Sequence, residues 1–517
     1  MRSHPHITSL IASVEGRRQA VSGALQQRHR SRLGQFFTPA PIADTIANLV
    51  RNGDQAHVDI LDPGAGVGSL ATAVVARLLD DAAVRSLRVV TYEVDPALAP
   101  HLAATGEALA YAAAERGVAL EWDQRQEDYI DSVGGALAGR LGSTFATFDL
   151  VVMNPPYRKI GTCSPERRVM DAVGVPVVNL YTAFLALAAS QLRPGGQLAA
   201  ITPRSFANGP YYRPFRTFFF DRMALDAVHV YESRSAAFAD ANVLQENVIF
   251  AATRDGARDL VRLSTSAGPG EPVSERQVPH DAVIDPRDPQ RFLHLPLDDH
   301  AAGIAATIAA LPATLADLGI TVSTGRVVDF RSRDALREEA ADDTVPLVYP
   351  GHLSGGVVEW PKPKGRKPNA LVRDDATESL LLPNEPYVLV KRFSAKEERR
   401  RVTAAISLPS MYPASHIAFE NHLNVFHRAQ RGLEPDVAAG LATFLNSTTV
   451  DQYVRQFNGH TQINATDLRS LRYPSLERLG ALGRLVSDAR APTQEEIDDA
   501  VDSAIPAMSS QAEPLAA

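Results

Sequence analysis

Short β-rich runs alternate with alanine- and leucine-rich stretches over residues 40–255, and this alternation constrains the fold more than any other feature of the sequence. Such alternation is typical of a mostly parallel sheet whose strands are joined by helices. The candidate strands are residues 58–61, 88–92, 148–153, 197–202, 227–231 and 247–251. The candidate helices are residues 69–79, 96–114 and 180–192. We therefore predict an α/β fold with a doubly wound, mostly parallel sheet.

The chain is long enough for two or three domains, because 517 residues exceed the size that one hydrophobic core usually reaches. An N-terminal helical arm is predicted at residues 1–33 and a first domain at 34–255. Residues 256–310 are rich in Pro, Asp, Arg and Ser with weak periodicity, which predicts a linker. A second domain of mixed α+β type is predicted at 311–480, with strands at 345–349 and 387–390. A tail follows at 481–517.

Composition and charge leave the class of partner open. Cys163 is the single cysteine, so we predict no disulfide and no metal site. The sequence shows neither a signal segment nor a stretch of about eighteen apolar residues, which predicts a soluble cytoplasmic protein. The net charge is −8, yet basic side chains cluster in three runs: Arg28, Arg30 and Arg32; Lys362, Lys364, Arg366 and Lys367; and Lys391, Arg392, Lys396, Arg399, Arg400 and Arg401. Each run suits either a DNA-binding face or a solvated surface.

A glycine-rich turn within residues 58–70, VDILDPGAGVGSL, joins a strand to a helix. Gly64, Gly66 and Gly68 permit positive φ angles and the close approach of a ligand, and the helix start offers free N–H groups. The next strand ends in Glu93, 31 positions after Asp62. A carboxylate there can accept hydrogen bonds from both hydroxyls of a ribose. These elements predict a Rossmann-like nucleoside pocket but do not separate NAD from S-adenosylmethionine.

Two further motifs favour S-adenosylmethionine. In QEDYID, Asp128 can accept a hydrogen bond from the adenine amine of the cofactor, with Tyr129 beside the ring. The alternative is a loop acid without that role. In GQFFTP at residues 34–39, Thr38 and the adjacent backbone can hold the amino-acid end of a cofactor, which a dinucleotide lacks. The alternative there is a helix cap of Thr followed by Pro.

The most specific motif is FDLVVMNPPY at residues 148–157, in which an apolar strand delivers Asn154, Pro155, Pro156 and Tyr157 to its carboxyl end. The prolines remove two N–H donors and leave carbonyl oxygens and the Asn154 side chain as local acceptors. Asn154 Oδ1 and the Pro155 carbonyl can bind the two hydrogens of a purine amine and favour the tetrahedral nitrogen that forms on attack. Tyr157 would stack on a target ring that has left the duplex. A simple strand-terminating turn is the alternative.

The order of these motifs, GQFFTP, DPGAGVG, YEVDP, EDYID and NPPY, resembles that of the gamma-class N6-adenine DNA methyltransferases of type II restriction-modification systems, the TaqI-like group. The segments ITPRSF at 201–206 and NVLQENVIF at 242–250 are also similar to the family. The resemblance implies a class I S-adenosylmethionine-dependent methyltransferase domain with an antiparallel strand near the end of its sheet. It implies cofactor roles for Thr38, Asp62, Gly64, Gly66, Glu93 and Asp128, and catalytic roles for Asn154, Pro155 and Tyr157. Phe206 is a candidate for the second aromatic that sandwiches the extruded base, with a core phenylalanine as the alternative.

The same resemblance implies that the second domain recognises the DNA target. Its segment 459–474, GHTQINATDLRSLRYP, is similar to the closing segment of the family. Several polar residues are of the types that bind base edges or phosphates, although polar loops also contain them: Asn446, Thr461, Gln462 and Asn464. Aromatic and basic residues would suit a surface that faces a DNA groove: Tyr349, Lys391, Arg392 and Phe393.

The sequence thus predicts methyl transfer from S-adenosylmethionine to the N6 amine of adenine in a specific duplex sequence, which would protect that sequence from a cognate restriction endonuclease. About 33 residues precede the first motif, too few for a nuclease domain, so we expect the endonuclease to be a separate protein. The resemblance to the family implies that the enzyme acts as a monomer. Pyrimidine C5 methylation is disfavoured because it needs a cysteine nucleophile and Cys163 lies in a predicted loop. Methylation of a protein glutamine amide, and a DNA-binding specificity subunit without catalysis, remain as alternatives.

Overall fold

The computed structural model describes residues 5–25, 33–51, 55–139, 145–232, 246–362, 365–395, 397–486 and 492–504. The chain forms two compact units, Met1–Leu297 and Asp298–Ala517. In the described ranges, no helix combines the length and the apolar character that a membrane span requires. Several predicted features lie outside the described residues: Arg28, Arg30, Arg32, Lys364, Lys396, the segment 242–245 and the end of the tail.

A nine-stranded sheet forms the centre of the first unit. Its strands are β1 His57–Pro63, β2 Ser86–Tyr92, β3 Ala119–Arg125, β4 Phe148–Met153, β5 Leu192–Pro203, β6 Met223–Tyr231, β7 Asn247–Arg254, β8 Leu260–Ser266 and β9 Ser274–Pro279. They lie in the order β3-β2-β1-β4-β5-β7-β6-β8-β9. Strands β1 to β5 pair in parallel, as do β6 and β8, whereas β7 is antiparallel to both β5 and β6, and β9 is antiparallel to β8.

Helices cover both faces of this sheet. They are α1 Pro5–Ala24, α2 Ala40–Leu49, α3 Ser69–Leu79, α4 Ala99–Glu115, α5 Gly135–Leu137, α6 Pro165–Ala172, α7 Leu180–Gln191, α8 Arg213–Arg222 and α9 His280–Val283. Successive strand residues point to opposite faces, so Ile60 and Leu61 belong to different hydrophobic clusters. One cluster includes apolar residues of α1 to α4, and the other includes those of α7 and α8. The predicted doubly wound α/β sheet with an antiparallel strand is therefore confirmed.

Strand β3 was not among the predicted strands. Its sequence, ALEWDQR, has few apolar residues, and its side chains are mostly half exposed. The strand lies at one edge of the sheet, where it pairs with β2 alone. An edge strand with an open face carries little of the apolar pattern by which a buried strand is predicted.

Residues 256–310, predicted as a linker, are folded instead. Strands β8 and β9 extend the sheet within this segment, and α9 follows them. Val261 and Leu263 of β8 are buried, whereas β9 exposes most of its side chains. The polar composition that suggested a linker therefore reflects the open edge of a sheet. The second unit begins at Asp298, which caps the helix Asp299–Ala309 by accepting a hydrogen bond from the N–H of Ala301.

The second unit combines short strands with helices. Its strands are β10 Thr321–Thr324, β11 Leu336–Arg337, β12 Thr344–Val348, β13 Leu353–Ser354, β14 Val357–Val358, β15 Ala370–Val372, β16 Leu382–Pro383, β17 Tyr387–Lys391, β18 Ala404–Ser407, β19 His416–Phe419 and β20 Leu423–His427. They form two sheets, in the orders β10-β20-β17-β18-β14-β13 and β11-β15-β12-β19-β16. The helices are α10 Asp299–Ala309, α11 Pro435–Leu445, α12 Thr448–Phe457, α13 Ala465–Arg469, α14 Leu476–Val486 and α15 Gln494–Ala504. Strands β12 and β17 match the two strands that the sequence predicts here.

Candidate active site

The turn between β1 and α3 holds three glycines at positive φ. The angles are 76° at Gly64, 61° at Gly66 and 84° at Gly68. The N–H of Gly64 donates to the carbonyl of Tyr92 at 2.8 Å, which ties the turn to the end of β2. A Cβ atom at Gly66 would lie 3.3 Å from the ring of Phe37. Both the left-handed backbone and this close packing favour glycine in the turn.

Glu93 follows β2 directly and is bonded to the glycine turn. Its Oε2 atom accepts a hydrogen bond from the N–H of Gly66 at 2.9 Å, and its Oε1 atom accepts one from the N–H of Asp95 at 2.8 Å. Burial raises the pKa of Glu93, and the two N–H donors oppose that effect. Each carboxylate oxygen keeps a lone pair, so the group can still accept hydrogen bonds from a ribose.

Asp62 lies at the end of β1 and is almost fully buried. Its Oδ2 atom accepts a hydrogen bond from the N–H of Ala71 at 3.2 Å, and burial raises the pKa of Asp62 to about 7. Within the described parts of the chain, its Oδ1 atom has no hydrogen-bond partner. Asp62 is also absent from the described residues that line the pocket containing Glu93. Asp62 lies directly before the glycine turn that lines this pocket, and its role toward the cofactor stays a prediction.

A pocket with a cavity volume of about 150 Å³ opens where β1, β2 and β4 end. Ligands of doubly wound sheets bind at the carboxyl ends of the strands. The pocket brings together eight residues that the sequence predicts for the site: Thr38, Gly64, Gly66, Glu93, Asp128, Tyr129, Asn154 and Pro156. Phe184 of α7 also lines it, and no motif indicates this residue because nearly every side chain of α7 is buried.

Asp128 and Tyr129 occupy different environments at the turn after β3. Asp128 is exposed at the pocket. Tyr129 is buried, with its ring centroid 5.2 Å from that of Tyr92 and 4.9 Å from that of Phe184. Its hydroxyl donates to Gln191 Oε1 at 2.7 Å, so the polar end of the ring is satisfied inside the protein. The ring therefore gives the pocket an apolar wall beside an exposed carboxylate.

Residues 34–38, which we call the strap, bind the NPPY turn. Asn154 Nδ2 donates to the carbonyl of Phe36 at 2.7 Å and to Thr38 Oγ1 at 3.0 Å. The N–H of Tyr157 donates to the carbonyl of Gly34 at 3.2 Å. Both hydrogens on Asn154 Nδ2 are thereby used, which fixes the orientation of the amide. The strap thus decides which way Asn154 Oδ1 points.

The strap is held by further contacts that the sequence does not reveal. Gln35 Nε2 donates to Asp95 Oδ2 at 3.2 Å, and the N–H of Asp95 in turn donates to Glu93. At the other end, the N–H of Ala40 at the start of α2 donates to Glu15 Oε2 at 3.1 Å. Glu15 of α1 is itself paired with Arg18 at 2.6 Å. The sequence around Glu15 does not indicate that this side chain binds the start of α2. Only the packing of α1 shows the contact.

Tyr157 binds the amide oxygen of Asn154. Its hydroxyl donates to Asn154 Oδ1 at 2.8 Å, and the carbonyl oxygen of Ile201 lies 3.2 Å from the same hydroxyl. Its ring centroid is 5.3 Å from that of Phe36 and 6.4 Å from that of Tyr181. Burial raises the pKa of Tyr157, so the hydroxyl stays protonated at neutral pH. Because an amide oxygen has two lone pairs, Asn154 Oδ1 can accept one more hydrogen bond.

Phe206 is a core residue, which contradicts its predicted contact with DNA. Its side chain is 2% exposed. Its ring centroid lies 5.8 Å from that of Phe215, 6.0 Å from that of Phe250 and 6.5 Å from that of Tyr181. A ring enclosed in this way could stack on an extruded base only if the core were unpacked.

In the second unit, two distant segments with predicted DNA contacts lie side by side. Phe393 and Gln462 form an antiparallel bridge, and the N–H of Ile463 donates to the carbonyl of Arg392 at 2.7 Å. Phe393 is 46% exposed, and Thr461 is exposed next to the bridge. We call Arg392, Phe393, Thr461 and Gln462 the paired-loop surface.

Three other polar or aromatic candidates are occupied by structural contacts. The N–H of Asn464 donates to Asp467 Oδ2 at 2.9 Å in a capping box at the start of α13. Asn446 uses both amide atoms on the backbone of Ala404, each at 2.9 Å. Tyr349 is buried. The structure therefore gives these side chains a role in the fold rather than on a DNA-facing surface.

The fold and the pocket define the class of this protein. A parallel sheet with antiparallel β7 between β5 and β6, a glycine turn after β1 and an acid after β2 belong to a class I S-adenosylmethionine-dependent methyltransferase. The cofactor is S-adenosylmethionine. The residues present suit it, because Glu93 can accept ribose hydroxyls and Tyr129 and Phe184 provide apolar walls for an adenine ring.

Sequence comparisons define the family. The profile of the family described as Eco57I restriction-modification methylase matches residues 111–238. The chain is 39% identical over 505 residues to the Type II methyltransferase M.PstI of Providencia stuartii. This alignment covers 97% of this chain and 98% of that protein. The chain is 37% identical over 501 residues to the Type II methyltransferase M.BsuBI of Bacillus subtilis, with 96% and 98% covered. The chain therefore belongs to the type II restriction-modification methyltransferases, and it methylates DNA.

A solved structure shows a similar fold over nearly the whole chain. The Type IIL restriction-modification enzyme MmeI, determined in complex with DNA, superposes with a TM-score of 0.52 at 10% sequence identity. The match covers 96% of this chain and 73% of MmeI.

Proposed function

We propose that this protein transfers the methyl group of S-adenosylmethionine to the N6 amine of adenine in a specific double-stranded DNA sequence, and thereby protects that sequence from a cognate restriction endonuclease. The observation that carries the proposal is the fixed amide of Asn154. Because Phe36 and Thr38 bind both hydrogens on its Nδ2 atom, its Oδ1 atom is the acceptor that a substrate amine would meet.

Residues of the pocket would hold the cofactor at three places. Glu93 would accept hydrogen bonds from the ribose hydroxyls, Asp128 would accept one from the adenine amine, and Thr38 with the strap backbone would bind the amino-acid end. Gly64 and Gly66 allow the backbone to approach the ligand closely. When bound, S-adenosylmethionine supplies a methyl group on a positively charged sulfur, which makes a strong base at the target amine unnecessary.

The amine of adenine is a weak nucleophile because its lone pair is delocalised into the ring. Asn154 Oδ1 and the Pro155 carbonyl would accept its two hydrogens and favour a tetrahedral nitrogen. Tyr157 uses one lone pair of Asn154 Oδ1, at 2.8 Å, and leaves the other for the substrate. No hydrogen bond to the Pro155 carbonyl occurs among the described residues. Pro156, which follows, restricts the backbone and keeps this carbonyl in place.

The target adenine must leave the duplex, because an enzyme cannot reach its amine inside the base stack. Tyr157 would stack on the extruded ring. Stacking of a base on an aromatic side chain contributes about 1–3 kcal/mol. The contact of the Tyr157 hydroxyl with Asn154 supports this role, because it holds the ring next to the acceptor for the amine.

The second unit would read the DNA sequence through the paired-loop surface, with Lys391 at the end of β17 beside it. Arg and Lys contacts to phosphate would make binding weaker at high salt. Thr461 and Gln462 can bind base edges. We expect the protein to act as a monomer on one strand at a time, with the endonuclease as a separate protein.

Modified-base sequencing of genomic DNA from a host that expresses this chain tests the proposal. A second host that expresses Asn154→Ala serves as the control. We expect N6-methyladenine at one position of one short sequence in the first host and its absence in the second. Modified cytosine instead of adenine, or transfer of labelled methyl groups from S-adenosylmethionine to proteins rather than to DNA, would overturn the assignment.

A further inference from the structure

A histidine held by a buried carboxylate lies in the turn between β19 and β20. The side chain of Glu420 is 0% exposed, whereas that of His422 is 44% exposed. Glu420 Oε1 lies 2.6 Å from His422 Nδ1, and Glu420 Oε2 accepts a hydrogen bond from the N–H of His422 at 2.9 Å. The carboxylate therefore binds the backbone N–H of His422 and lies against the Nδ1 edge of its ring.

A buried carboxylate is costly to keep. Burial raises the pKa of Glu420, and the contacts with His422 oppose that effect. A buried ion pair often contributes less to stability than apolar residues of similar volume. Other charged groups surround the pair: Arg392, whose Nη1 atom donates to the carbonyl of Asn421 at 3.3 Å, and Asp329, whose charge also acts on Glu420. An orienting role for Glu420 accounts for an acid that stability alone does not require.

His422 borders the paired-loop surface. Its ring packs edge to face against that of Phe393, with centroids 4.8 Å apart. The N–H of Arg392 donates to the carbonyl of His422 at 2.9 Å, and Phe393 pairs with Gln462. Because Nδ1 faces Glu420, the second ring nitrogen, Nε2, lies on the opposite side of the imidazole. The turn thus adds an oriented ring nitrogen to a surface with an arginine, an exposed phenylalanine and a threonine.

We propose that His422, positioned by Glu420, contacts the target DNA by donating a hydrogen bond from Nε2 to an acceptor on the nucleic acid. The inference rests on the proposed function, in which the paired-loop surface faces DNA. The acceptor is either a phosphate oxygen or the N7 and O6 edge of a guanine, since both accept hydrogen bonds from an N–H donor. Phe393 restrains one side of the imidazole, so the ring keeps a single orientation toward its acceptor.

Two variants separate the contact from its support. His422→Asn keeps a donor close to the place of Nδ1, so that Glu420 retains a partner, but it has no outward ring nitrogen. Glu420→Gln keeps the shape of the side chain and removes its charge. His300→Asn is the matched control, because His300 is an exposed histidine on α10 whose Nε2 atom contacts Gln452 Oε1 at 2.8 Å. The melting temperature of each variant reports whether the fold is kept.

Binding of the full chain to duplex DNA is measured at several salt concentrations, with the sequence that the protein methylates and with a scrambled sequence. We expect His422→Asn to raise Kd by about tenfold, the factor expected for a lost hydrogen bond to a charged group. Glu420→Gln should weaken binding without a change in methylation rate at saturating DNA. His300→Asn should match the wild type.

The two acceptors give different results. With a phosphate acceptor, His422→Asn weakens binding equally on both sequences, and the number of ions released on binding falls by about one. With a guanine acceptor, His422→Asn weakens binding only to the sequence that the protein methylates. A folded His422→Asn variant with wild-type Kd on both sequences would overturn the inference, even where the wild type methylates DNA normally. A wild type that binds DNA but never methylates adenine would refute the proposed function, and the Kd comparison would still decide the role of His422.

Discussion

The hydrogen bond from Asn154 Nδ2 to Thr38 Oγ1 allows a direct test of how the amide is held. Thr38→Val keeps the volume and the β-branch of the side chain but removes an acceptor that lies 3.0 Å from Asn154 Nδ2. The other hydrogen on Nδ2 stays on the carbonyl of Phe36, at 2.7 Å. We therefore expect the amide to remain in the site but to present Oδ1 to the substrate in a smaller fraction of molecules.

The size of the effect follows from the burial of the two partners. A lost neutral hydrogen bond costs about 0.5–1.5 kcal/mol, and a buried donor left without a partner costs about 1–3 kcal/mol. Thr38 is buried and Asn154 is half-buried, so a cost of about 1–2 kcal/mol is expected. Because about 1.36 kcal/mol corresponds to a tenfold change in rate, the rate of methyl transfer should fall about 5- to 30-fold.

Single-turnover methylation of duplex DNA at saturating S-adenosylmethionine measures this rate. The cofactor Kd is measured separately, because Thr38 is also proposed to bind the amino-acid end of the cofactor. Thr38→Ser retains the hydroxyl and is the control, with a rate close to that of the wild type. A wild-type rate for Thr38→Val at saturating cofactor would refute the reasoning, whether or not the cofactor Kd has risen.

Three further predictions concern stability and base binding. Tyr157→Phe keeps the ring but removes the donor to Asn154 Oδ1, so the single-turnover rate should fall with little change in DNA Kd, whereas Tyr157→Ala should impair both; equal effects of the two substitutions would argue against stacking. Burial raises the pKa of Asp62 from an ordinary value of 3.8 to about 7 in the folded state. Between these two pH values the folded state binds more protons than the unfolded state. The free energy of unfolding should therefore fall as pH rises from about 4 to about 7. Asp62→Asn should remove that part of the pH dependence in denaturant titrations of the cofactor-free protein. Phe206→Ala should lower the free energy of unfolding by about 3–5 kcal/mol, and a stable variant with weak DNA binding would contradict the core assignment.

The cofactor side of the site could be predicted from local sequence. The glycines at 64 and 66 encode the left-handed turn themselves, and Glu93 follows the strand that pairs in parallel with β1. Adjacent parallel strands end at the same edge of a sheet, so these residues converge once the α/β alternation is recognised. Asn154 is carried to the same edge by β4, which also pairs in parallel with β1. Motif order and one general rule of sheet topology are enough here.

Packing between distant elements could not be predicted in this way. Phe206 follows β5 in a segment typical of the family, and its burial depends on Phe215 of α8 and Phe250 of β7. The polar residues of β9 suggested a linker because an edge strand exposes the side chains that a central strand would bury. In both cases the burial of the side chains depends on another element of the fold, and no local sequence pattern indicates which element that is.

The turn that carries His422 shows why the DNA-binding side is harder to predict still. Glu420, Asn421 and His422 are polar residues in a short connection, and such residues are common in surface turns. Glu420 is nonetheless buried, and its backbone packs against Gly325, where a Cβ atom would lie 2.1 Å from the Glu420 carbonyl oxygen. Only glycine lets the two backbones approach so closely. The turn that places His422 beside a buried carboxylate therefore packs closely against a glycine that is remote in sequence, and no pattern near His422 indicates this contact.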